Sequence, residues 1–89
     1  MDDLDTQLSD LKVRLDEYHE WPCQYLFKFI APLDKVEEVE PIFEGAPFKT
    51  RVSKNGNYTS LSGKMEMQSS DQVLAIYRRV SAIEGVMAL

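Results

Sequence analysis

The sequence has one cysteine, one histidine and one tryptophan among its 89 residues. A lone Cys23 excludes an internal disulfide and suits a reducing compartment. Cys23 and His19 together fall short of a zinc ligand set, so neither a metal nor any other cofactor is expected. Long apolar runs are missing too: nothing approaches the roughly 20 residues of a membrane-spanning helix, and no membrane partner is expected. The opening stretch MDDLDTQLSD is acidic, unlike a signal or transit peptide, and the expectation is a cytoplasmic protein. Glycines number only four, and Gly56 and Gly63 lack the spacing of a phosphate-cradling loop. What is present is a chain with 44% hydrophobic residues, enough for a packed core and of a length for one compact unit.

Bases are scarce at the N-terminus. The whole net charge of −5 sits in residues 1–20, where Asp2, Asp3, Asp5, Asp10, Asp16, Glu17 and Glu20 face only Lys12 and Arg14. Beyond that segment acids and bases balance. An acidic chain is a poor ligand for phosphate backbones, so no nucleic acid partner is expected.

Within the same segment Leu4, Leu8, Leu11, Leu15 and Tyr18 recur at helical spacing. The pattern predicts an acidic amphipathic helix from about Asp5 to His19, stopped by Trp21-Pro22. Tyr25–Ile30 reads as a strand with two largely apolar faces, hence central and covered on both sides. Asp34 and Glu37 have capping-box spacing ahead of a helix burying Val36, Val39, Ile42 and Phe43, which Pro41 must kink or restart. Residues 48–68, FKTRVSKNGNYTSLSGKMEMQ, alternate with period two on both sides of Asn55-Gly56. That dipeptide predicts a hairpin with a two-residue type I′ turn and positive φ at both centres. Ser69 and Gln72 form a second capping box before Val73, Ile76, Tyr77, Val80 and Ile83. Gly85 suits the position just past the helix end, and Val86–Leu89 reads as a last short strand. The order is a helix followed by βαββαβ. The expected class is α+β, a ferredoxin-like fold over residues 21–89: a four-stranded antiparallel sheet with two helices on one face, plus the extra helix of residues 1–20. Its expected core is Phe27, Phe29, Val52, Leu61, Met65, Val73, Ile76, Tyr77 and Val80.

The stretches WPCQYLFKFIAP, RVSKNGNYTSLSGKMEM and QVLAIYRRVSAIEGV resemble the small bacterial family typified by YbeD, over roughly residues 21–89. That family is in turn similar to the amino-acid-binding regulatory ACT domains. The resemblance implies an ACT-like fold and a regulatory role connected with lipoate, and it supplies no ligand residues. The acidic helix and Pro41 depart from the family pattern.

Candidate chemistry is sparse. A cysteine and a histidine can act as thiolate nucleophile and base. Trp21 and Pro22, however, keep Cys23 and His19 off a shared helical face, and no catalytic residue is expected. The RNA recognition motif shares the βαββαβ order, but it stacks bases on aromatics of its central strands. Here Leu26, Lys28, Ile30, Ser60, Ser62 and Lys64 stand at those positions. The sheet face away from the helices should carry Lys28, Lys49, Arg51, Ser60, Ser62 and Lys64, a set able to hold an anion. Lysines also discourage edge pairing on a merely solvated face. The expected function is a small non-catalytic regulatory or adaptor protein that binds a partner protein or a small anionic metabolite. A Cys23-dependent enzyme and a structural dimerisation module are the alternatives, with monomer and homodimer both open. The N-terminal helix is expected to lie across the open face, of its own chain or of a dimer mate, with its leucines on Leu26 and Ile30.

Overall fold

The structure, a computed structural model, describes residues 3–89; Met1 and Asp2, part of the acidic segment, lie outside the described residues. The elements in chain order are α1 (Asp3–Tyr18), β1 (Cys23–Pro32), α2 (Val36–Val39), β2 (Lys49–Val52), β3 (Tyr58–Met67), α3 (Ser70–Ser81) and β4 (Met87–Ala88). β1 pairs with β3 along its full length, from Cys23 opposite Met67 to Pro32 opposite Tyr58. β2 flanks β3 and β4 flanks β1, so the sheet order is β2-β3-β1-β4 and every pairing is antiparallel. This is the ferredoxin-like arrangement, with an additional N-terminal helix.

Local chemistry explains where the elements stop. Ser69 Oγ accepts the Gln72 N–H at 3.3 Å and starts α3. Gln72 Oε1 returns to the Gln68 N–H at 2.7 Å, one residue earlier than a standard capping box would reach. Asp34 does not cap its helix. The segment begins as a 3₁₀ turn, Leu33–Lys35, with no side-chain cap. Pro41 restarts it as a second 3₁₀ turn, Glu40–Phe43, because a proline lacks the N–H that a continuing α-helix needs. Gly85 has φ 82° but lies beyond the Ala82 cap, in the turn that leads into β4.

The hairpin differs from a two-residue turn. Ser53 N–H donates to the Tyr58 carbonyl at 2.7 Å, which leaves Lys54–Asn57 as a four-residue loop. Ser53 Oγ accepts the Tyr58 N–H and donates to Asn55 Oδ1, and these short polar side chains hold the wider loop. Only Gly56 takes positive φ, 77°.

One core lies between the sheet and the helices. Phe27, Phe29, Ala31, Leu61, Met65 and Met67 project from the strands and meet Val39, Ile42, Phe43, Val73, Ile76, Val80 and Leu15. Rings from β1 continue the stack: Phe27 lies 5.9 Å from Phe29 and 5.8 Å from Tyr77, and Phe29 lies 5.6 Å from Phe43. Tyr77 is half-buried against this core. Val52 does not join it and is 58% exposed, because β2 is an edge strand whose end no helix covers. β1 is central, as its composition suggested, but only one of its faces is covered. Leu26 is 58% exposed on the other.

α1 does not lie across that open face. Leu8 and Leu15 are buried on the helical side of the sheet. Lys12 Nζ reaches Asp71 at 2.9 Å and Ser70 Oγ at 3.0 Å, and Asp5 pairs with Arg78 at 2.7 Å. The helix therefore runs beside α3. That flank offers both apolar surface for the leucine stripe and the cation Arg78 for Asp5.

A candidate ligand-binding face on the open sheet

Period-two alternation puts the six polar residues on one surface, and strand register sets their rows. Lys49, Ser62 and Lys28 form one row across β2, β3 and β1. Arg51, Ser60 and Ile30 form the next, which Met87 extends into β4. Lys64 stands opposite Leu26. With strands about 4.8 Å apart, cations two strands away sit roughly 10 Å from one another at their Cα atoms. The register thus brings together all six residues singled out by alternation. It adds exposed Leu26 and Met87 and half-buried Ile30, an apolar strip beside the cations.

The bases without a carboxylate partner among the described residues gather on this face, with Arg14 and Lys54 the two that lie elsewhere. Lys12, Lys35, Arg78 and Arg79 each meet a carboxylate, of Asp71, Glu38, Asp5 and Glu44 respectively. The side chains of Lys28, Lys49, Arg51 and Lys64 meet none among the described residues. Glu66, on the same face two residues from Lys64, is the one acid on the strands among the described residues. A shallow cavity of about 330 Å³ opens on this face between Leu26, Phe48, Lys49, Ser62 and Lys64. A carboxylate or phosphate there would meet charge-assisted donors at one end and apolar surface at the other.

His19 and Cys23 come closer than the intervening proline suggested. Cys23 Sγ lies 3.9 Å from His19 Nδ1, across the short turn between the end of α1 and β1. The imidazole is held between Trp21 and Tyr25, each ring 5.6 Å away. Its other nitrogen has no orienting partner among the described residues, the third member that an activated thiolate pair ordinarily has. No group of three or more metal-ligating side chains converges among the described residues. No helix of the structure is long and apolar enough to cross a membrane.

Comparison with known proteins places these features in one group. The family described as "Protein of unknown function (DUF493)" matches residues 16–89. The UPF0250 protein of Shewanella sediminis is 30% identical over 83 residues, covering 85% of this chain and 94% of its own length. The UPF0250 protein of Idiomarina loihiensis is 33% identical over 82 residues, covering 84% of this chain and 93% of its own length. No solved structure matches the chain. The family match begins within α1, so most of the acidic helix is outside it while both exposed and buried faces of the sheet are inside. A chain matched from the end of its first helix to its last residue, with relatives covered almost end to end, belongs to the DUF493 family, of the YbeD-like kind.

Proposed function

We propose that this protein is a non-catalytic regulatory or adaptor module that binds an anionic partner on the open face of its sheet. Four cations without counter-charges among the described residues, arranged around exposed Leu26 and half-buried Ile30, carry the reading. Their spread over three strands favours the acidic, partly apolar surface of a partner protein over a point-like ion. A second reading, a small anionic metabolite, is favoured by the cavity beside Lys49 and Lys64. A short acid with an apolar tail, such as lipoate, would put its carboxylate on the lysines and its tail on Leu26 and Phe48. A third, a Cys23-dependent enzyme, draws on the Cys23–His19 contact, and a turnover abolished by Cys23→Ser would establish it.

Amide spectra recorded during titration test the binding reading. The probes are an acidic peptide built of glutamate and leucine and, separately, lipoate. Shifts centred on Lys28, Ser60, Ser62 and Lys64 are expected, and they should vanish in a Lys28→Gln, Arg51→Gln, Lys64→Gln variant. Both probes leaving those amides unmoved would defeat it.

A further inference from the structure

β1 has ten residues and its neighbour β4 only two. On the β3 side every residue from Cys23 to Pro32 is paired. On the β4 side pairing covers Phe29 and Ile30, with a further bond from the Leu89 N–H to the Lys28 carbonyl at 2.8 Å. Successive residues of an antiparallel ladder turn their backbone groups to opposite sides. Lys28 and Ile30 turn theirs toward β4, so Leu26 and Gln24 turn theirs the same way. No strand among the described residues pairs with them there.

Beside this stretch of β1 lies a cavity of about 440 Å³. It is lined by Leu4, Leu8 and Leu11 of α1, Tyr25 of β1, Tyr77 of α3 and Leu89. α1, packed against α3, thus roofs the inner side of an open strand edge. The two tyrosine hydroxyls bond each other at 3.1 Å, so neither needs a ligand, and the wall they make is otherwise ring surface.

We propose that the Gln24–Leu26 edge of β1 is a docking site for an extended peptide segment of a partner protein, added antiparallel to β1 in line with β4. Strand addition of this kind draws affinity from main-chain hydrogen bonds and specificity from alternate side-chain pockets. Register assigns the chemistry of the segment. Leu89 stands opposite Lys28, so the next strand positions lie opposite Phe27, Leu26, Tyr25 and Gln24. Side chains opposite Phe27 and Tyr25 enter the leucine- and tyrosine-walled cavity and are apolar. Those opposite Leu26 and Gln24 emerge on the outer face near Lys28 and are acidic. A second copy fits poorly through its β2 edge, where Lys-Thr-Arg-Val would bring Lys49 and Arg51 beside Lys28. The site uses the edge of the sheet, so it stands apart from the reading of its open face.

The test uses the full chain with the acetylated, amidated pentapeptide Val-Glu-Val-Glu-Val. Amide hydrogen exchange at Leu26 and Gln24 should slow at least tenfold in excess peptide. The same peptide N-methylated at both glutamates lacks the bonding N–H groups and should leave those rates unchanged. Unaltered exchange at Leu26 and Gln24 with the first peptide overturns the proposal, as does equal protection by the second. Shifts confined to Lys49, Arg51 and Ser62 would support the open-face reading and overturn this one. Slowing that depends on protein concentration alone would assign the edge to a second copy and overturn it as well.

Discussion

At the scale of single residues, Gly63 shows how closely β3 passes the segment before β2. An added Cβ would stand 2.7 Å from the Pro47 carbonyl oxygen and 3.1 Å from a Phe43 ring carbon. Gly63→Ala should destabilise by about 1–3 kcal/mol, read as a lower urea midpoint, since a packed interior resists extra atoms. An unchanged midpoint would mean that the Pro47 segment yields. Pairing runs without interruption through Phe27 opposite Gly63, so this glycine serves a close approach and not a bulge. Phe29, fully buried, should cost about 3–5 kcal/mol as Phe29→Ala in the same measurement. Tyr77 adds a pH dependence. Burial first, and then the Tyr25 hydroxyl, push its phenol above the ordinary value of 10.0. The unfolded chain then loses that proton at lower pH than the folded chain does, so stability falls as pH rises above 10.0. Tyr77→Phe should cost about 1 kcal/mol at neutral pH for the lost hydrogen bond and flatten the alkaline fall. The inward set Phe27, Phe29, Leu61 and Met65 was legible because alternation names a face directly. Val52 was not, because alternation says which way a side chain points and not whether anything lies over it.

At the scale of elements, α1 is where pattern and position part. A leucine stripe shows only that a helix needs an apolar surface, and this molecule offers two: the strip of Leu26 and Ile30, and the flank of α3. Asp5 and Lys12 decide in favour of α3 through Arg78 and Asp71, partners that lie more than fifty residues away in the chain and have no local signature. The hairpin failed in a smaller way, since Asn-Gly marked the bend while Ser53, two residues earlier, set its width. Docking of α1 should be governed by its buried leucines. Leu15→Ala should cost about 2–5 kcal/mol by denaturant unfolding, with the α1 amides shifting first. The polar contacts tune it with pH. Asp16 is held below its ordinary 3.8, first by the Ser70 hydroxyl and then by the Trp21 N–H. Its contribution is therefore present above 3.8 and lost as pH falls below that value. Amide shifts at Lys12, Trp21 and Ser70 moving together below pH 4 are the expected sign, and Asp16→Asn should abolish the movement (about pH 4 being where a free aspartate titrates).

Across the whole molecule the charges divide by side. The helical side carries the acid surplus of α1 and pairs most of its bases internally, while the open sheet face carries Lys28, Lys49, Arg51 and Lys64 with no such partners among the described residues. A net charge of −5 conceals that separation, and only the register of β2, β3 and β1 brings the four cations to one surface. Face-to-face pairing of two such sheets would set cation against cation, which weighs against a symmetric dimer through this surface and supports the acidic partner proposed above. Exposed ion pairs are worth at most about 1 kcal/mol each, so no single cation should dominate. Removing two of them, as Lys28→Gln with Arg51→Gln, should weaken binding of an acidic glutamate- and leucine-containing peptide about tenfold, since 1.4 kcal/mol corresponds to that factor. Raising salt toward 1 M, where screening acts within about 3 Å, should produce a clearly larger loss in the unsubstituted protein than in the doubly substituted one, which keeps only Lys49 and Lys64. Calorimetric titration of the two proteins at low and high salt measures all four affinities. Equal salt dependence in both would show that the sheet cations do not hold the peptide and that its acidic groups are met elsewhere on the molecule.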